Sequence, residues 1–141
     1  ANRPFGGHEI ATMNQDLKSL LNLDGNGLVP AIAQQHDTGE VLMMAWMNVD
    51  AIEETLATGQ VCYWSRSRQS LWRKGESSGH VQTLREFRID CDGDTILLLV
   101  DQKGVACHTG RRNCFYNTVT KDSLQINSDI EVSPEDMYGK K

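Results

Sequence analysis

A chain of 141 residues with 39% apolar and 23% charged residues lies in the range of one ordinary globular domain, large enough to bury a core without disulfides or a structural metal. Its net charge of −5 argues against the basic footprint of a general nucleic-acid binder, and no window approaches the ~20 apolar residues that a bilayer span needs. The first ten residues lack the basic-then-apolar layout of a signal peptide. The expectation is a cytoplasmic protein that binds neither nucleic acid nor membrane, whose four cysteines are thiols or metal ligands rather than bridges.

In chain order, Ile10, Met13, Leu17, Leu20 and Leu21 recur at the three-to-four spacing of an amphipathic helix over residues 9–23, and the glycines at 25 and 27 end it. Residues 28–35 and 41–46 read as strands joined by the Asp37-Thr38-Gly39 turn, the second apolar enough to predict burial on both faces. Asn48 caps a predicted helix over 49–58 in which Val49, Ile52 and Leu56 share a face and Gly59 supplies the left-handed stop. Residues 61–65 form a third predicted strand. Residues 65–79 follow neither strand nor helix period and read as a long ordered loop, where binding groups gather. Residues 81–91 and 95–101 make a further predicted hairpin around Asp92-Gly93, residues 102–104 turn, 107–113 form a loop, and 115–119 is the last predicted core strand. The class is α+β, with mostly antiparallel strands and few helices. Residues 1–27 read as an N-terminal helical extension, 28–120 as the main domain and 121–141 as a polar C-terminal tail.

The charge is unevenly spread. Between residues 63 and 88, Arg66, Arg68, Arg73, Lys74, Arg85 and Arg88 stand against Glu76 and Glu86, and Asp90, Asp92, Asp94 and Asp101 follow. Such neighbouring blocks suit an anionic substrate with a hard divalent cation, while either alone is also what solvated surface charge produces. On extended backbone Asp90, Asp92 and Asp94 would share a face, with Cys91 on the other; a polar β-turn is the alternative. An EF-hand is excluded, because Thr95 stands where its loop needs glycine. Cys91, Cys107 and Cys114 each have polar or charged company, and three thiolates would leave one tetrahedral position open, as in catalytic zinc sites. Taken singly, each reads better as a buried free thiol, and it is their shared polar company that points to a metal. Cys62, within a strand, is assigned to packing. His108 is a candidate general acid/base and His80 a candidate substrate contact, whereas His8 and His36 have no functional context.

At these residues the chain resembles the phosphoribosyl-AMP cyclohydrolases of histidine biosynthesis. The likeness rests on residues 64–79 (WSRSRQSLWRKGESSG), 90–94 (DCDGD), 106–110 (ACHTG) with Cys114-Phe115, Pro30 and 45–48 (AWMN), and runs from about Leu28 to Val119. A serine is common in the family where Asn113 stands. The resemblance implies an obligate homodimer in which zinc is held by Cys107 and Cys114 with Cys91 of the partner subunit, and magnesium by Asp90, Asp92 and Asp94. The implied reaction is hydrolysis of the C6–N1 bond of the adenine ring of phosphoribosyl-AMP by a zinc-bound hydroxide. The ribosyl group on N1 leaves the ring cationic and C6 electrophilic. His108 is the first candidate for the proton relay, with a metal-bound water as the alternative. Arg66, Arg68, Arg73, Lys74, His80, Arg111 and Arg112 are the candidate substrate contacts, the cations serving its two phosphates. Trp64 or Trp72 is available to stack on the base or to pack in the core. Residues 28–120 would be the cyclohydrolase domain. Too few residues follow Thr120 for the fused pyrophosphohydrolase domain of some family members, so the expectation is a monofunctional chain.

Two other readings compete. A non-catalytic zinc-binding dimerisation module would keep the cysteines and lack turnover of phosphoribosyl-AMP. A hydrolase of another N-ribosylated purine is disfavoured because the H-x-E and P-C-x-x-C signature of the zinc deaminases is absent.

Overall fold

The computed structural model describes residues 15–138, with side chains for 16–137. Its elements are α1 (Gln15–Leu20), β1 (Val29–Gln35), β2 (Val41–Met47), α2 (Val49–Thr58), β3 (Cys62–Ser65), β4 (Ser70–Arg73), β5 (Gln82–Ile89), β6 (Ile96–Gln102), β7 (Asn117–Val119), β8 (Leu124–Ile126) and α3 (Pro134–Tyr138). The first six strands form one sheet in the order β4-β3-β2-β1-β6-β5, and β7 and β8 form a separate pair. All pairings are antiparallel except β1 with β6. The α+β class holds, with that parallel pair as an addition. No helix among the described residues is long and apolar enough to cross a membrane.

Local signals account for the best-defined elements. Asn48 Oδ1 accepts the Ala51 N–H at 2.9 Å, and Gly59, at φ +77°, donates its N–H to the Thr55 carbonyl, so α2 starts and stops on the residues that chemistry favours there. It buries Ala51, Ile52 and Thr55, while Val49 and Leu56 pack at the core's edge. The inner sheet face carries Val29, Ala31, Ala33, Met47, Ile96, Leu98 and Val100, all within 3% exposure or less. Each buried Val, Leu or Ile there contributes roughly 1.5–3 kcal/mol. The sheet curls until the residues leading into β3 reach β5: Val61 N–H donates to the Gln82 carbonyl (3.0 Å) and Leu84 N–H to the Gly59 carbonyl (2.8 Å).

Four expectations need correction. The helix expected over 9–23 is seen at Gln15–Leu20; residues 9–14 lie outside the described residues, and 21–23 are not helical. The predicted loop 65–79 contains β4, paired with β3 from Ser65↔Ser70 to Cys62↔Arg73. Its turn puts Gln69 at φ +53°, the one non-glycine among the described residues at positive φ; the usual Gly or Asn signal of such a turn is missing from the sequence. β2 is not buried on both faces, since Met44 is 45% and Val41 43% exposed. Residues 115–119 are not a core strand. β7 is exposed throughout and pairs only with β8; the chain leaves the six-stranded sheet after Cys114 N–H bonds the Leu42 carbonyl (2.7 Å).

Candidate active site

Chemistry-bearing residues gather at the two ends of β6. At its start lies the acidic turn. Strand pairing stops at Ile89↔Ile96, Asp90 N–H bonds the Thr95 carbonyl (3.0 Å) and Gly93 N–H the Asp90 carbonyl (3.2 Å). Asp90 Oδ1 accepts the N–H groups of Asp94 (3.0 Å) and Thr95 (3.3 Å). The three carboxylates therefore converge through a turn and not through strand alternation. One oxygen from each of Asp90, Asp92 and Asp94 lies within 4.8 Å of the others, the only such group of three metal-ligating side chains among the described residues. Hydrogen bonding to Asp92 and Asp90, followed by desolvation and their negative charge, raises the Asp94 carboxyl above its ordinary range. At Asp90 desolvation acts upward, but the hydrogen bonds from Asp94, Thr95 and Asp92 outweigh it and lower the carboxyl. Crowded carboxylates of this kind favour a cation. Gly93 sits at φ +76°, where an added Cβ would lie 1.8 Å from the Leu20 carbonyl oxygen, and its own carbonyl accepts the Asn22 N–H at 2.8 Å. The segment after α1 thus buttresses the turn.

At the far end of β6 lies the cysteine loop. Cys107 is buried and Cys114 exposed as whole residues, yet Cys107 is close enough to act on the Cys114 thiol. Burial pushes the Cys114 thiol up to about 12, repulsion from and hydrogen bonding to Cys107 act the same way, and Lys74 opposes them. Thr109 Oγ1 donates to Cys107 Sγ at 3.1 Å. Lys74 Nζ donates to the Ala106 carbonyl at 2.8 Å and has its pKa lowered by burial, against the pull of Cys114 and Cys107. Cys91, by contrast, is exposed in the acidic turn, and β6 with its seven residues separates it from the pair by about 20 Å. Cys62 is fully buried in the core, its N–H bonded to Thr55 Oγ1 at 2.9 Å, as packing predicts.

The basic residues divide by what they already hold. Arg73 makes a two-point contact with Glu54 (2.6 and 2.9 Å). Arg111 stacks on Tyr116 at 4.2 Å and donates to the Ser128 carbonyl (3.0 Å). Arg112 is bonded to Glu40, Gln35 and the carbonyls of Gln102 and Gly104. His80 Nδ1 accepts the Val105 N–H at 3.3 Å, which fixes the proton on Nε2 in the neutral ring. Arg66 lies 4.6 Å over the Trp46 ring, and Arg68 is exposed near Ser65. Arg68, Trp72, Lys74, Glu76 and Ser78 line an open groove of about 480 Å³. Asn26, Asn48, Trp64, Arg66 and Gln69 line a second of about 360 Å³. His108 is exposed, beside Cys107 in the chain, with no hydrogen-bond partner among the described residues. Trp72 is half-buried with its ring 5.4 Å from Tyr63, and Trp64 is half-buried opposite Trp46.

The sequence pattern of the phosphoribosyl-AMP cyclohydrolases matches residues 43–116. A protein of that name from Rhodospirillum centenum is 67% identical over 120 residues, 85% of this chain and 90% of its own. The chain belongs to the phosphoribosyl-AMP cyclohydrolase family. Relatives of the same name from Alkalilimnicola ehrlichii (68% over 120 residues, 85% of this chain and 84% of the relative) and Acidiphilium cryptum (75% over 99 residues, 70% and 85%) agree. The family match spans the acidic turn, all four cysteines and the basic segment.

Sequence reasoning missed a buried polar chain beneath the cysteine loop. Tyr63 Oη donates to Gln82 Oε1 (2.7 Å), Gln82 Nε2 to Gln102 Oε1 (2.9 Å), and Gln102 N–H to Gln35 Oε1 (2.9 Å). Gln102 Nε2 also reaches the carbonyls of Lys103 (2.8 Å) and His80 (3.0 Å). Buried amides must find partners or cost about 1–3 kcal/mol each; these find them in the turn that leads to Cys107. Three glutamines at inward strand positions, Gln35, Gln82 and Gln102, are the signal that a sequence reading could have used.

Proposed function

We propose that the chain is a phosphoribosyl-AMP cyclohydrolase that opens the C6–N1 bond of the adenine ring of 1-(5-phosphoribosyl)-AMP in histidine biosynthesis, working in the cytoplasm as a homodimer with zinc and magnesium. The observation that carries this reading is family membership with both ends of β6 inside the matched stretch. The donor sets fit the two metals. Cys107 and Cys114 offer paired soft sulfurs for zinc, with Cys91 as the third, and Asp90, Asp92 and Asp94 offer hard oxygens for magnesium. Zinc, when bound, would make a water nucleophilic near neutral pH.

The geometry supports dimerisation. One protomer keeps Cys91 at the other end of β6 from Cys107 and Cys114, which fits a third thiol supplied by a second copy. The exposed side of β2 supports this: Ile32 is the cross-strand neighbour of both Met44 and Leu97, and Val119, Leu124 and Ile126 on β7–β8 are more than 60% exposed. Exposed apolar side chains grouped in this way fit a partner surface.

Within the reaction, N1 needs a proton as its bond to C6 breaks, and we assign the relay to His108, tethered to Cys107 and without a hydrogen-bond partner among the described residues. Arg66, Arg68 and Lys74 have N–H groups left for the two phosphates; Arg73 has Nε and Nη2 engaged by Glu54 and keeps Nη1, and Arg112 has Nε, Nη1 and Nη2 all engaged by protein acceptors. An absorbance assay for ring opening, on metal-replete and on chelated protein, tests the reading. Turnover that disappears with the metals is expected. No turnover in metal-replete dimer would leave the dimerisation module in its place.

A further inference from the structure

Between Cys107 and Cys114 the chain folds back on itself. Cys107 N–H donates to the Arg111 carbonyl (3.1 Å) and Ala106 N–H to the Arg112 carbonyl (2.9 Å). Arg112 ties this span to everything around it. Its Nη2 donates to Gln35 Oε1 on β1 (2.9 Å), its Nη1 to the carbonyls of Gln102, at the end of β6 (3.1 Å), and of Gly104, and its Nε to Glu40 Oε1 in the β1–β2 turn (3.2 Å). The second Glu40 oxygen takes the Asn113 amide at 2.8 Å. An arginine that grips a substrate phosphate presents its N–H fork to the ligand; this fork is turned onto the protein. Gln35 Oε1 is shared with the Gln102 N–H, so the buried glutamine chain and the cysteine loop meet at Arg112.

We propose that Arg112 is a positioning residue for the metal centre: by pinning the span between Cys107 and Cys114 to β1, β6 and the β1–β2 turn, it sets the separation at which the two thiols capture metal. The inference rests on the zinc reading above and deepens it. Groups that orient metal ligands from behind are typically worth 10–100-fold in metal affinity, and Arg112 acts here through backbone and loop shape.

The test uses two full-length variants, Arg112→Gln and the milder Glu40→Gln, with circular dichroism to establish folding. In metal-free protein, the affinity for phenylarsine oxide, which requires two thiols close enough to bind one arsenic, reports the thiol spacing directly. Zinc affinity is read by competition with a chromophoric chelator, and KM and kcat at saturating zinc. Arg112→Gln should lower arsenical and zinc capture together by about 10–100-fold, Glu40→Gln should lower both by less, and KM of the zinc-loaded enzyme should stay near wild type. Unchanged capture in folded Arg112→Gln overturns the proposal. So does a raised KM with unchanged zinc affinity, which would make Arg112 a phosphate contact. If Arg112→Gln does not fold, unchanged capture by Glu40→Gln overturns it as well. A wild-type protein that takes the arsenical tightly and zinc hardly at all would refute the zinc reading while the arsenical still decides the role of Arg112.

Discussion

The acidic turn at the start of β6 is held by bonds within the turn itself, whereas the cysteine loop at its end is held largely by side chains from distant parts of the chain. In the turn, Asp90, Gly93, Asp94 and Thr95 make the bonds that bring three carboxylates together. In the loop, the side chains of Glu40, Gln35 and Lys74 come from far along the chain, beside the nearby carbonyl of Gln102. A site of the first kind is written in one short motif. One of the second kind exists only after the whole sheet has formed, so its integrity is coupled to global stability. Each end also leans on a terminal segment: Gly93 on Leu20, and Gly110 on Val132, whose carbonyl oxygen would lie 1.8 Å from a Cβ added there.

The largest effects should come from the thiols. Cys107→Ser and Cys114→Ser should each abolish zinc binding and ring opening, and Cys91→Ser should do the same from the other end of β6, since a hydroxyl replaces thiolate poorly toward zinc. Cys62→Ser should keep both. Metal analysis beside the absorbance assay checks this, and full zinc occupancy in two of the three variants would break the assignment. Next, His108→Ala should lower kcat by roughly 10²–10⁴ with zinc retained. A near-normal kcat with raised KM would remove His108 from the proton relay.

Asp92→Asn separates the two ends. It should raise the magnesium concentration for half-maximal activity by about tenfold or more while leaving zinc stoichiometry unchanged, because the carboxylates choose a hard cation; loss of zinc from folded protein would merge the two sites into one. Smaller and paired are the glycine effects. Gly93→Ala and Gly110→Ala both place a methyl on a carbonyl at positive φ, at a cost of about 1–3 kcal/mol. The first should show in the magnesium requirement and the second in zinc retention, each measurable beside a urea titration. Smallest, and confined to stability, Tyr63→Phe should cost about 1–3 kcal/mol by stranding buried Gln82 Oε1, with kcat unaffected.

What was legible in the sequence follows the same division. The α2 limits and the β1–β2 turn came from single residues whose chemistry is local: Asn48, Gly59 and Gly39. The acidic group was legible as a set of ligands, although turn geometry, not strand alternation, assembles it. β4 escaped because Gln69 occupies the left-handed position that Gly or Asn usually marks. Residues 115–119 misled because exposed apolar side chains on a separate hairpin carry the same pattern as core ones. Arg73, Arg112 and His80 read as candidate substrate contacts, and only the folded chain reveals the acceptors and donors that engage them. The glutamines were hidden by their type, since a buried Gln and a surface Gln look alike until the partner strands are known.

The central claim is that one protomer cannot complete the zinc centre and a second copy must supply Cys91. Mixing inactive Cys91→Ser with inactive Cys107→Ser subunits, under conditions where exchange is demonstrated by mass, tests it most directly. Each heterodimer should regain one complete site and therefore about half the wild-type activity, provided the two sites act independently. No recovery in exchanged heterodimers would mean that each chain builds its site alone.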